Sequence, residues 1–177
     1  MNMEDELERS VPPFPYEPGT ARLFLPLKAL EATHQLLQSA GHRESGAMWY
    51  GPKDADGNGT VRYVGAPRQQ MRRRNYHVSA EALAEVVYRL PEDYKPLAQV
   101  HSHPAEWVEH SSYDDTMVSS QRILSLVFPF YGREMSEFPH GIGVHEWQNG
   151  YWHCLDLDCA TRRISLVDGE VRVEDMR

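Results

Sequence analysis

The sequence predicts a single α/β domain in which a mixed, mainly antiparallel sheet is packed by about three helices and followed by C-terminal β-hairpins. Three observations predict it. Apolar residues recur at helical spacing in segments that alternate with short apolar runs of strand length. Asn149-Gly150 and Asp168-Gly169 each stand between two such runs, as type I′ hairpin turns require. A chain of 177 residues, 41% of them hydrophobic and four of them Trp, has enough apolar surface for one sizeable core.

In chain order, residues 1 to 20 carry acids and then Val11-Pro12-Pro13-Phe14-Pro15-Tyr16, and read as an extended arm; the domain proper spans 21 to 177. Pro26 at a first turn, Leu27, Leu30, Leu36 and Leu37 on one face, and Gly41 as a stop predict a helix. Strands are expected over 46 to 50 and 60 to 64. The turn between them, Asp54-Ala55-Asp56-Gly57-Asn58-Gly59, opens like a calcium loop, but Gly65 stands where that loop needs its bidentate glutamate. It reads as a polar turn.

Residues 65 to 76 lack a period and read as a loop. Ser79 caps a second helix lined by Leu83, Val86, Val87 and Leu90 and ended by Pro91. A strand from Leu97 to His101, a helix starting near Ser111 and a strand from Ile123 to Phe128 follow. After an exposed loop over 129 to 140, hairpins are expected from 141 to 147 with 151 to 157, and from 163 to 167 with 171 to 173.

A net charge of −8 argues against a nucleic-acid partner, which would need a basic face. The run Arg72-Arg73-Arg74 is the counter-signal, either a solvated loop or a dock for an acidic partner. Two cysteines, Cys154 and Cys159, are too few for a secreted disulfide framework; with His153 they lack a fourth ligand for a second zinc site and read as buried thiols. The acidic N-terminus is no signal peptide and no apolar run reaches membrane-spanning length, so no membrane role and a cytoplasmic location are expected.

The chemistry gathers in His101-Ser102-His103-Pro104, with Ser111 and Asp114 shortly after. Two histidines separated by one residue on an extended segment point the same way, because the strand period is two. Two imidazoles and a carboxylate, with a fourth position open, form the ligand set of a catalytic zinc that keeps a water. Each piece has a plainer reading. Nearby histidines are usually surface or half-buried side chains. Ser111 with an acid three residues later also reads as a helix cap, which would itself hold Asp114 in place. Trp107 and His110 either line the cleft or simply pack, Pro104 fixes the exit from the strand, and His77, His140, His145 and His153 read as structural.

The pattern His-x-His-Pro, then seven intervening residues, Ser, two more and Asp resembles the JAMM motif of the MPN+/JAB metalloprotease family. The upstream Glu-x-Gly stretch of that family is matched by Glu44-Ser45-Gly46, followed by apolar residues and Gly51. The resemblance covers roughly residues 44 to 114, and all five chemical positions are filled. It implies a JAB/MPN-like fold with one Zn²⁺ per chain, held by His101, His103 and Asp114. It further implies that Glu44 exchanges protons with the attacking water and the leaving amine, and that Ser111 donates to the oxyanion, a role worth about 3 kcal/mol.

A chain without further recognition domains is similar to the prokaryotic JAB branch. The implied activity is removal of a ubiquitin-like protein from its conjugates, or processing of its precursor after a Gly-Gly tail. The implied partners are that modifier and the activating and conjugating proteins of the same system, including antiphage systems. Three rivals stand beside it. A non-catalytic MPN scaffold would not need all five positions. A non-haem iron oxygenase shares the ligand set but needs neither Glu44 nor Ser111. A JAB relative could cut a different amide bond.

Overall fold

The structure is a computed structural model that describes residues 9–133 and 137–177. The acidic start of the expected arm, 1 to 8, and part of the expected loop, 134 to 136, lie outside the described residues. In chain order the elements are β1 (Leu23–Pro26), α1 (Leu27–Ser39), β2 (Gly46–Gly51), β3 (Gly59–Thr60), β4 (Tyr63–Ala66), β5 (Gln70–Met71) and β6 (Tyr76–His77). They continue with α2 (Ala80–Tyr88), β7 (Lys95–Ser102), α3 (Ser112–Met117), β8 (Leu124–Phe128), a 3₁₀ turn (Phe130–Gly132) and β9 (Gly143–Gln148). The chain closes with β10 (Tyr151–Cys154), α4 (Leu157–Arg163), β11 (Ile164–Val167) and β12 (Arg172–Asp175). The α/β class holds.

Seven strands form the main sheet in the order β10-β9-β8-β7-β2-β4-β12. The pairs β7–β8 and β4–β12 are parallel and the other four are antiparallel, which makes the sheet mixed and mainly antiparallel. A second sheet, β11-β1-β3, is wholly parallel.

Register sorts the two faces of the main sheet. Ala47, Val100, Leu126 and Val144 are successive cross-strand partners and form an apolar row in the core cluster that includes Leu30, Leu36 and Leu37 of α1. The rows on either side point to the opposite face and are largely polar or small: Met48, Gln99, Ser125 and His145 in one, Gly46, His101, Val127 and Gly143 in the other. Because successive strand residues alternate between faces, a one-residue slip would exchange these sets.

The structure corrects several local expectations. The segments around Asp168-Gly169 do not pair: β11 joins β1 in the small sheet, whereas β12 joins β4 in the large one. Ile164 is buried against that small sheet's core, and this outweighs the local hairpin signal. The strand expected over 151 to 157 stops at Cys154, and a fourth helix follows, with the Asp156 side chain accepting from the Cys159 amide at 2.7 Å and Arg162 and Arg163 in its last turn. The strand expected over 60 to 64 divides into β3 and β4, and 65 to 76 contains the end of β4 and most of the small β5–β6 hairpin. The turn at Asp54 is polar as read, its carboxylate accepting from the amides of Asp56 and Asn58.

Leu126 is fully buried in the middle of the apolar row. Leu126→Ala should lower stability by about 2–5 kcal/mol, read from the midpoint of urea unfolding, through lost burial and the cavity left behind.

Candidate metal centre

The antiparallel pairing of β2 with β7 builds the first half of the site. Gly46 faces His101 across the ladder, and the Ser102 amide donates to the Ser45 carbonyl at 3.1 Å. Continued by one residue, this register sets Glu44 opposite His103. Both histidines and Glu44 therefore belong to the polar face of the sheet. His101, His103 and Glu44 are only 2%, 3% and 4% exposed.

The second half comes from the start of α3. Ser111 is its N-cap, its hydroxyl accepting from the Asp114 amide at 3.1 Å. The Asp114 carboxylate accepts in return from the Ser111 amide at 2.7 Å and from the Ser111 hydroxyl at 2.9 Å. This reciprocal cap satisfies the helix end and aims the carboxylate at the histidines. The capping reading and the ligand reading of these residues are thus one arrangement.

The three side chains converge tightly. The His101 and His103 Nε2 atoms lie 3.2 Å apart. Asp114 places one oxygen 3.3 Å from His101 Nε2 and the other 3.1 Å from His103 Nε2. Ligands bound tetrahedrally at about 2.0–2.1 Å stand about 3.3 Å from each other; the two Nε2 atoms have that spacing, and with one Asp114 oxygen all three donor atoms lie within 4.8 Å of one another, close enough to converge on a zinc-sized ion. The donor set fits it as well. Among the described residues, this trio is the group of His, Cys, Asp or Glu side chains placed to hold a metal.

The electrostatics suit ligation. Burial pushes the His103 imidazole below its ordinary pKa and towards the neutral form that binds metals. Burial also opposes ionisation of Asp114, but His101 and His103 beside it prevail and hold the carboxyl well below its usual range. Among the described residues Glu44 has no such partner. Burial first, and then the Asp114 charge, push its carboxyl up to about 9.

An outer layer fixes the candidate ligands. His103 Nδ1 lies 3.1 Å from the Trp107 carbonyl, which as an acceptor selects the tautomer that leaves Nε2 free for a metal. The Tyr76 ring stacks on His101 with centroids 5.4 Å apart. Gly46 permits that stack, because a Cβ there would come within 2.4 Å of the Tyr76 ring. Gly143 similarly lets the chain after His103 cross the sheet, since its Cβ would sit 1.9 Å from the Val108 carbonyl oxygen. Behind His103, Phe130 and Tyr131 hold φ of 51° and 55°, a conformation costing roughly 1–2 kcal/mol for each non-glycine residue. The Tyr131 amide donates to the His103 carbonyl at 2.8 Å, so the strained turn is bonded directly to the backbone of a candidate ligand.

The sequence reading missed a buried polar network beneath the site. His110 lies 2.9 Å from Asp115 through Nδ1 and 2.8 Å from the Ser125 hydroxyl through Nε2, and stacks on His145 at 3.8 Å. Arg9 from the N-terminal arm donates to Asp115 at 2.9 Å. Burial holds both His110 and His145 well below the ordinary histidine pKa. Ser125 is fully buried, so this Asp-His-Ser chain has no route to a substrate and serves to anchor α3. His110 therefore packs instead of lining the cleft, whereas Trp107 is 40% exposed with its ring 5.6 Å from His103. The cap signal at Ser111 and Asp114 hid the neighbouring His110 and Asp115. Cys154 and Cys159 are half-buried thiols.

What fold and site define is a mixed α/β domain with a buried two-histidine, one-aspartate centre. No protein-family model and no curated protein matches the chain. Solved structures do resemble it. A solution structure of a Desulfitobacterium hafniense protein is 15% identical, with a TM-score of 0.65, over 84% of this chain and 94% of that one. One of a Salinibacter ruber protein is 11% identical, with a TM-score of 0.53, over 75% and 88% respectively. At such identities the likeness is one of fold.

The raised Glu44 pKa gives a pH test on metal-free protein. The folded state keeps this proton up to about pH 9, whereas the unfolded chain releases it near 4.5, the ordinary value of a glutamate carboxyl. Between those limits the folded state binds more protons, so stability falls as pH rises, by on the order of a few kcal/mol in total. Glu44→Gln should match wild type below this window and become progressively more stable than wild type up to about pH 9. Denaturation with chelator present, repeated across pH, checks it; parallel curves for the two proteins would refute it.

Proposed function

We propose that the chain is a zinc-dependent isopeptidase that removes a ubiquitin-like protein from its targets, or matures its precursor, by cutting after a Gly-Gly tail. The observation that carries this reading is the conjunction at one buried point: a trio spaced for a zinc-sized ion, a buried carboxyl beside it that the Asp114 charge helps to keep protonated, and a hydroxyl on the Asp114 cap. A purely structural metal site would close its fourth position with another protein ligand. A non-haem iron oxygenase would have no use for Glu44 or Ser111.

His101, His103 and Asp114 would hold the ion. When bound, the ion supplies Lewis acidity and positive charge that make a water nucleophilic at neutral pH and draw the Glu44 carboxyl down into its basic form. Glu44 then accepts the proton of the attacking water and returns it to the departing amine. Ser111 turns its hydroxyl from Asp114 towards the oxygen of the tetrahedral intermediate, where one donor is worth about 3 kcal/mol. Burial of Glu44 and of all three ligands excludes bulk water and strengthens each of these interactions. An extended Gly-Gly tail suits such a site because bare backbone can lie close against a strand edge.

No helix among the described residues is long and apolar enough to cross a membrane. The proposed enzyme works in the cytoplasm beside the activating and conjugating proteins of a bacterial, antiphage-type system.

The test compares wild type with Glu44→Gln for bound zinc and for cleavage of a ubiquitin-like protein fused through its Gly-Gly tail. Stoichiometric zinc in both proteins, with turnover at least about 10²-fold lower in the variant, is expected. Ser111→Ala should retain zinc and lose about 10²-fold. Loss of zinc from Glu44→Gln, or cleavage unaffected by it, would refute these roles.

A further inference from the structure

Exposed arginines gather beside Glu44 from three separate stretches of the chain. Arg43 adjoins Glu44 in sequence; Arg72, Arg73 and Arg74 arrive on the β5–β6 turn; and Arg133 follows the strained turn behind His103. The folding of the chain pins them together. The Glu44 amide donates to the Arg72 carbonyl at 2.7 Å, and the Tyr131 hydroxyl donates to the Arg73 carbonyl at 2.9 Å. Arg133 lies over the Tyr131 ring at 5.6 Å, with Nη1 3.3 Å from His42 Nδ1.

Among the described residues, Arg43, Arg72, Arg73 and Arg133 form no ion pair; Arg68, Arg162 and Arg163 elsewhere pair with Glu85, Asp158 and Glu146, whereas Arg22, Arg62 and Arg122 stand singly at separate places in the sequence. A run of three arginines alone would be an ordinary solvated turn. The convergence of further arginines on it, in a chain of net charge −8, is not what random surface charge gives. The result is a concentration of positive charge at the edge of the candidate centre in an otherwise acidic chain.

Resting on the metalloisopeptidase reading, we propose that this arginine patch is the docking surface for an acidic polypeptide segment that flanks the bond to be cut. Guanidinium groups pair bidentately with carboxylates, so glutamates and aspartates next to an extended tail would fix its position beside Glu44. The patch selects among substrates by charge: an acidic flank is drawn in and a basic one repelled.

The test uses fluorescence anisotropy on zinc-supplemented protein with three labelled probes. They are a short peptide alternating Glu and Ser, the same peptide with Lys for Glu, and a single-stranded DNA of matched negative charge. Wild type is compared with the combined variant Arg72→Ser, Arg73→Ser, Arg133→Ser. Arg22→Ser, Arg89→Ser, Arg162→Ser, three exposed arginines on other elements, serve as the charge-matched control. The acidic peptide should bind wild type, weaken about tenfold or more in the patch variant and less than about twofold in the control, and weaken as salt rises. No binding of the acidic peptide, equal binding by patch variant and wild type, or tighter binding of DNA than of the peptide would overturn the proposal. Binding is read without turnover, so the two readings fail separately. Acidic-peptide binding lost in the patch variant stands even if the Gly-Gly fusion is not cut, and cleavage with unaltered peptide binding would remove the patch alone.

Discussion

The antiparallel register that sets Gly46 against His101 is the constraint on which the rest of the molecule depends. It puts Glu44 level with His103, turns both histidines to one face, and leaves Ala47 and Val100 to the apolar face under α1. No residue of that ladder can shift alone. A slip of one position would bury the imidazoles among leucines and expose the apolar row to the polar side, at a cost of several buried side chains. The core thereby stabilises the site without touching it: Leu126 and Val144 hold the register that aligns the candidate ligands.

The same face carries groups that a stable core would avoid. Glu44 is buried without a basic partner among the described residues, the two Nε2 atoms confront each other at 3.2 Å, and two successive non-glycine residues hold positive φ behind His103. Each costs stability in the metal-free protein. Around them the structure is fully committed: the Ser111 cap, the Trp107 carbonyl, the Tyr76 stack and the His110–Asp115–Arg9 chain. Two further atoms nearby, the Ser45 hydroxyl and His145 Nδ1, are buried without a hydrogen-bond partner among the described residues. A local excess of costly polar groups is the pattern expected where a bound ion supplies the missing charge.

Much of this was legible in the residues, because it depends on short spacings. A period of two places His101 with His103, and a cap spacing of three places Asp114 with Ser111. The helices with clear apolar faces, α1 and α2, and the hairpin at Asn149-Gly150 were likewise local signals. What escaped was set by partners distant in sequence. Asp168-Gly169 resembles a hairpin turn until β1, far upstream, captures β11. The seven residues of α4 are too few for a visible period, although Asp156 and the terminal arginines marked its ends. The sequence left open whether His110 lines the cleft or packs, since its partners Ser125 and His145 come from two strands that only the sheet order brings to it. The arginine patch was visible only as its central run, and the fold supplied Arg43 and Arg133.

The central claim is that His101, His103 and Asp114 hold one zinc ion with a position left for water. The most direct measurement is zinc K-edge X-ray absorption on the purified protein, with metal content determined on the same sample. One zinc per chain is expected, with a single shell of nitrogen and oxygen ligands at about 2.0–2.1 Å, about four in number, an imidazole scattering signature and no sulfur. A sulfur shell near about 2.3 Å, or protein that takes up no zinc when it is supplied, would contradict it.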